Sequence, residues 1–328
     1  MRTRLGRLLN LWSAPNRGRP IQLRTFIEPQ QGTTYDQVLA HALTAEELGF
    51  DAWFTSDHLL AMGDTDPRPG PTDAWTTLAG LARDTSTIRL GTLVTPATFR
   101  QPGHFAVQAA QVDQMSGGRI EIGLGTGWYG AEHAAMAIEF PELGERFDRF
   151  EEYVEVLTGL WSTPEGETFS YDGETYDIVN NPGLPKPTQR PYPPLILGGT
   201  GRSRTPRLSA QFASEWNCPF PQPEDWEELA GLVRAACEEI DRDPDELTYS
   251  VAQVVCVGRD EAEYEQRAAA IGRDAQELRE SGVCGLPDEA RERLEDFASR
   301  GCDRIYLQTL DISDTAHLEL LAEELLPG

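Results

Sequence analysis

Eight short apolar runs recur along the chain, separated by polar or glycine-rich turns and amphipathic stretches. They are IQLRTFI (21–27), DAWFT (51–55), IRLGTLV (88–94), RIEIGLG (119–125), PLILG (194–198), SEWNC (214–218), TYSVAQVVCV (248–257) and DRIYLQ (303–308). Strands alternating with helices imply parallel pairing, since a helical crossover returns the chain to the same end of a sheet. Eight such units predict an α/β fold, a closed (β/α)8 TIM-type barrel. Two junctions, LGFDAWF (48–54) and RGCDRIYL (300–307), repeat a glycine and an aspartate just before the strand. The glycine suits a left-handed helix C-cap.

Two helices are explicit in the pattern. Thr34-x-x-Gln37 satisfies a capping box at the head of the first. In ERFDRFEEYVEVLTGLW (145–161), Phe147, Phe150, Val154, Leu157 and Trp161 fall on one helical stripe, which reads as core packing. The 328 residues exceed the roughly 250 of a plain barrel. The excess is assigned to an insertion between strands 4 and 5, residues 162–193, where Pro, Gly and Asn break the helical period. Within it FSYDGETYDI reads as a hairpin around Asp172-Gly173. Residues 1–19 carry five arginines and no acid and read as a disordered basic extension, which leaves 20–328 as a single barrel domain.

The net charge of −26 makes the surface repel nucleic acid and anionic membrane, both of which need a basic face. Lys186 is the only lysine. Acid excess with almost no lysine suits a high-salt cytoplasm, where self-repulsion is screened within about 3 Å at molar salt. No apolar run is long enough to span a bilayer. The five cysteines form no C-x-x-C and read as reduced thiols, and the five histidines show no metal-ligand spacing, so no metal site is expected.

In a barrel of this kind chemistry gathers where the strands end. Past the first strand lie Glu28 and Pro29; past the second, Ser56, Asp57 and His58; past the third, Thr95 to Thr98; past the fourth, GTGWYGAEH (125–133); past the fifth, GGTGRSRT (198–205); past the sixth, Asn217. Histidine exchanges protons near neutral pH, and an adjacent carboxylate can orient it. The other reading is that Asp57 caps the next turn and His58 is a satisfied rim residue. Glycines 198, 199 and 201 before a helix suit an anion, with Arg202 and Arg204 adding charge. The alternative is a tight turn whose arginines answer an acidic surface. GLGTGWYG lacks the spacing of a dinucleotide fingerprint.

GFDAWFTSDH, RLGTLVTPATFRQP, QAAQVDQMSGGRIEIGLGTGWYGAEHAAMAI, ERFDRFEEYVEVLTGLW and LILGGTGRSRT occur in that order. Together they resemble the bacterial luciferase-like oxidoreductase superfamily over roughly residues 20 to 310, and most of all its branch that uses the deazaflavin coenzyme F420. The resemblance implies His58 as proton donor or acceptor, with Asp57 as an orienting group or coenzyme contact. It implies a non-prolyl cis peptide near Leu93–Val94 pressing on the ring, with Thr95 beside it. Thr126 and Gly127 then lie beside the ring or ribityl chain, and Gly198, Gly199, Thr200, Gly201 and Arg202 hold the phosphate. Asn217 is a weaker carry-over. One departure stands out. Where the branch's sugar-phosphate dehydrogenase has a glutamate after its GTG, this chain has Trp128. A glucose 6-phosphate substrate is therefore not carried over, and Trp53, Trp75, Trp128 and Tyr129 are candidates for an apolar pocket.

These readings lead to hydride transfer between F420 and a small organic substrate, in a cytoplasmic enzyme that the resemblance implies is a homodimer. The alternatives are an FMN-dependent monooxygenase fed by a flavin reductase and O2, and a non-catalytic binding barrel. A metal-dependent hydrolase lacks the ligands.

Overall fold

A computed structural model describes residues 21–63 and 66–327. The basic extension at 1–19 lies outside the described residues. Eight parallel strands close into a barrel: β1 (Gln22–Ile27), β2 (Ala52–Thr55), β3 (Arg89–Thr92), β4 (Ile120–Gly125), β5 (Leu195–Gly198), β6 (Glu215–Pro219), β7 (Thr248–Val257) and β8 (Arg304–Thr309). Pairing of β1 with β8, Gln22 opposite Arg304, and of β6 with β7, Thr248 opposite Glu215, completes the ring. Each predicted run overlaps its strand, with β6 and β8 extending one residue past their runs, to Pro219 and Thr309. The third is shorter than expected: β3 stops at Thr92, and a separate two-residue strand, Thr95–Pro96, pairs with the end of β4. A short strand not expected from sequence, Val283–Gly285, pairs with the outer end of β7.

Helices α1 (Tyr35–Glu47), α2 (Ala74–Asp84) and α3 (Pro102–Ser116) cross between the first four strands. Between β4 and β5 come α4 (Gly130–Ala135), α5 (Leu143–Ser162) and an antiparallel hairpin, Phe169–Asp172 with Asp177–Asn181, whose turn spans residues 173–176. Then follow α6 (Arg204–Phe212), α7 (Pro223–Glu239), α8 (Glu261–Ala270), α9 (Ala275–Ser281), α10 (Pro287–Ser299) and α11 (Thr315–Leu325). The capping box forms at α1: the Gln37 amide donates to Thr34 Oγ1 at 3.3 Å, and the Thr34 amide to Gln37 Oε1 at 3.0 Å. The α5 stripe is buried as expected, with Phe147 partly covered.

Alternation along the strands divides the interior in two. One set of side chains, Leu23, Ile27, Trp53, Leu90 and Ile122 among them, packs outward against the helices. The other fills the barrel: Phe26, Ala52, Phe54, Leu93, Ile196, Ala252 and Tyr306. Beneath that apolar plug lies a charged layer, which the sequence reading did not anticipate. Arg24 pairs with Glu121 (2.5 Å) and Asp51 (2.7 Å), Arg89 also grips Glu121, and Arg304 pairs with Glu215 (2.5 Å), which accepts from Tyr306 Oη at 2.7 Å.

Two histidines are buried neutral. Trp53 Nε1 donates to His41 Nδ1 at 3.1 Å, and the Val257 amide donates to His317 Nε2 at 3.0 Å. Burial lowers both to about 4; His317 reinforces this at His41, and Arg267 at His317. The unfolded chain binds their protons near pH 6.5, the folded chain only near 4. Their contribution is therefore complete above pH 6.5 and lost as pH falls toward 4, up to roughly 3 kcal/mol per histidine. The melting temperature is expected to drop between pH 7 and 5, and the drop to be shallower in His317→Gln, whose amide oxygen still accepts from Val257. An equally steep drop in that variant would contradict this.

Candidate active site

The strand C-termini converge on one mouth. Asp57 and His58 come just past β2, after Ser56, and take different partners. Asp57 turns inward and is 1% exposed. Arg100 clasps it, Nη1 to Oδ2 at 2.5 Å and Nη2 to Oδ1 at 3.2 Å, and Thr95 Oγ1 donates to it at 2.8 Å. Arg100 also reaches Asp73 at 2.8 Å, the N-cap of α2, and Trp75 Nε1 donates to Thr95 Oγ1 at 2.9 Å. Burial raises the Asp57 carboxyl, with Arg100 and Thr95 opposing. Its oxygens are thus engaged by the β3–α3 loop, and the expectation that Asp57 orients His58 is corrected.

His58 takes its partner from elsewhere. Its Nδ1 lies 3.0 Å from Glu132 Oε2, on α4. Glu132 is 0% exposed and also accepts the main-chain amides of Leu59 and of Leu60, the latter at 3.1 Å. Burial alone would raise this carboxyl; the His58 ring and the Leu59 amide outweigh it and hold the group below its ordinary value. An ionised carboxylate only accepts, so the proton of neutral His58 sits on Nδ1 and Nε2 presents a lone pair. No hydrogen-bond partner meets that Nε2 among the described residues. Glu28, past β1, lies within electrostatic reach; burial raises its carboxyl, with His58 and Gln30 opposing.

Leu93 and Val94 form an apolar floor to the mouth. The Leu93–Val94 peptide is cis. Val94 lies over glycines of β4 and β5: a Cβ on Gly125 would stand 2.8 Å from Val94 Cγ2, and one on Gly198 3.2 Å from Cγ1. Side chains there would displace Val94. At the rim, Gly127 has φ 79°, and a Cβ on it would come within 3.0 Å of Thr98 Oγ1. Its neighbour Thr126 is half-buried.

Past β5, Gly199 (φ 146°) donates its amide to the Asn217 carbonyl at 3.0 Å. The amides of Thr200, Gly201, Arg202 and Ser203 meet no acceptor among the described residues. Four free amides at the head of a helix are the donor set an anionic group requires. Arg202 does not join them: it pairs with Glu228 on α7 (Nη2 to Oε2, 3.1 Å). Asn217 spends its side-chain amide on Ser250 Oγ at 2.9 Å, so only its carbonyl supports the turn. Trp53 and Trp75 are core residues; Trp128 and Tyr129 remain at the mouth. An apolar floor with unengaged main-chain amides at one side has room in its chemistry for a ring with an anionic tail.

The sequence profile of the luciferase-like monooxygenases matches residues 20–282. The chain belongs to that family. It is 33% identical over 180 residues to an F420-dependent glucose-6-phosphate dehydrogenase of Microbacterium testaceum, covering 54% of this chain and 51% of the relative. It is 36% identical over 115 residues to an FMNH(2)-dependent dimethylsulfone monooxygenase of Pseudomonas putida, covering 35% of this chain and 30% of the relative. The matched stretches thus span about half of the first relative's length and less than a third of the second's. A solved F420-dependent secondary alcohol dehydrogenase in complex with an F420-acetone adduct superposes with a TM-score of 0.80 over 93% of this chain and 98% of that one, at 18% identity. At that identity the likeness is one of fold.

Within this luciferase-like barrel, Glu132 and Arg100 went unassigned in the sequence. Glu132 stands in an alanine-rich stretch, GAEHAA, where an acid ordinarily faces solvent. Its only sequence signal was its place in the turn past strand four.

Proposed function

We propose that this chain is an oxidoreductase that binds coenzyme F420 and passes a hydride between it and a small organic substrate. The observation that carries this is His58: a proton-transfer group at the mouth, its Nδ1 engaged by buried Glu132 and its Nε2 open. Moving a hydride from an alcohol carbon requires a base for the hydroxyl proton, and the reverse reaction requires an acid.

Leu93 and Val94 would carry the ring. Thr126 and Gly127 would flank it, and the amides of residues 200–203 would hold the phosphate. When bound, the deazaflavin supplies the ring carbon that exchanges the hydride. His58 takes the substrate proton at Nε2, and Glu132 steadies the resulting imidazolium through Nδ1. Asp57 acts at one remove, fixing the β3–α3 loop through Arg100. Leu59, Leu60 and Met62, half-buried on the loop after His58, help to keep water from the ring face. The homodimer and the high-salt cytoplasm are part of this proposal, resting on the resemblance and on the acid excess.

An anaerobic assay tests it. Oxidised F420 with a panel of alcohols is expected to be reduced without oxygen. Turnover only with reduced FMN, a flavin reductase and oxygen consumption would instead assign the chain to monooxygenation.

A further inference from the structure

We infer that Trp128 and Tyr129 form an aromatic ledge that selects an uncharged substrate with a flat apolar face, an aromatic or polycyclic alcohol or ketone. The inference rests on the proposed hydride-transfer reading and names the substrate class of the same mouth.

Trp128 is 65% exposed, whereas Trp53, Trp75, Trp161, Trp216 and Trp226 are all buried. Its ring stacks on Tyr129, centroids 5.3 Å apart and planes at 25°. Tyr129 is pinned by its hydroxyl, which donates to the Ala61 carbonyl at 3.2 Å. Both rings approach His58 edge-on, Trp128 at 5.8 Å and Tyr129 at 6.3 Å. The indole therefore offers open apolar surface beside the proton-transfer group. Offset stacking on such a face favours another flat ring.

Charge points the same way. Arg100, Arg202 and Arg259, on loops past the strand ends, and Arg204, at the head of α6, each answer a carboxylate, and Arg146 lies over the Phe140 ring. The sole lysine, Lys186, donates to the carbonyls of Leu160 and Trp161 at 2.8 and 3.3 Å. The Glu132 carboxylate adds negative charge beside His58. Among the described residues a phosphorylated substrate would meet repulsion and no free side-chain cation at this ledge, whereas a neutral ring would meet neither penalty.

The test is calorimetric titration of the full chain, with and without saturating F420, using 2-naphthalenemethanol and glucose 6-phosphate as probes. The naphthyl alcohol is expected to bind, to lose roughly tenfold or more in affinity in Trp128→Ala, and to stay within about threefold in Trp128→Phe. F420 affinity should be unchanged in both variants, and glucose 6-phosphate should bind more weakly than the naphthyl alcohol. The ledge is overturned if the naphthyl alcohol fails to bind, or binds wild type and Trp128→Ala alike. Tighter binding of glucose 6-phosphate would overturn it, and so would a loss of F420 affinity in Trp128→Ala. Binding of the naphthyl alcohol without F420 keeps the ledge distinct from the coenzyme reading, since the ledge then stands even if F420 does not bind.

Discussion

Replacement of His58 by alanine is expected to lower kcat by roughly 10²–10⁴-fold while leaving F420 affinity within about threefold. The ring removed is the one whose Nδ1 is engaged by Glu132 and whose Nε2 has no partner among the described residues, and the proposed coenzyme floor of Leu93 and Val94 does not depend on it. Added imidazole should restore part of the lost rate by supplying the missing base. Glu132→Gln should reproduce a smaller share of the loss, with His58 still present. Three donors converge on that carboxylate: His58 Nδ1–H and the amides of Leu59 and Leu60. A glutamine sets an NH2 group against one of them, so the loop shifts or the imidazole turns over, and the imidazolium loses its counter-charge. The expected mark is a fall in kcat with little change in KM, which a merely structural role would not give. Collapse of coenzyme binding in His58→Ala, with chemistry spared, would mean that the histidine is a ligand contact.

Glu121→Gln is expected to cost about 3–5 kcal/mol of stability and roughly 10 °C in melting temperature. Glu121 is 3% exposed at the closed end of the barrel and holds Arg24 and Arg89 together. Burial raises its pKa, and the two arginines and Arg304 overcome this and drive it far below the usual carboxylate range. The neutral amide leaves Arg24 buried with Asp51 as its one directly paired carboxylate and Glu215 at longer range, and an undercompensated buried charge is among the largest single-site penalties. Thermal unfolding followed by circular dichroism checks this, and a variant melting within a degree or two of wild type would show that the layer relaxes without it.

The strands were legible because each run carries apolar residues that pack outward against the helices and is bounded by turn residues. The charged layer was not. Arg24, Glu121, Glu215 and Arg304 share a strand face with Phe26, Gly123, Asn217 and Tyr306, two residues on, and the period of two gives a face without saying which face is inside. Polar residues on a strand are ordinarily read as outward, and only ring closure shows them meeting one another. At the mouth, adjacency in sequence misled: Asp57 and His58 are neighbours in the chain and part company in space. Their true partners, Arg100 and Glu132, lie 43 and 74 residues away. The turn past β5 was readable from its glycines because free amides need no side chain. Arg202 was not, because its bond to Glu228 joins two separate helical units.

Equilibrium titration of the purified full-length protein with oxidised F420 and, in parallel, FMN, at molar salt and followed by ligand fluorescence, is the most direct test of the coenzyme assignment. F420 binding at least roughly tenfold tighter than FMN is the expected result. Preference for FMN, or binding of neither ligand by folded protein, would contradict it.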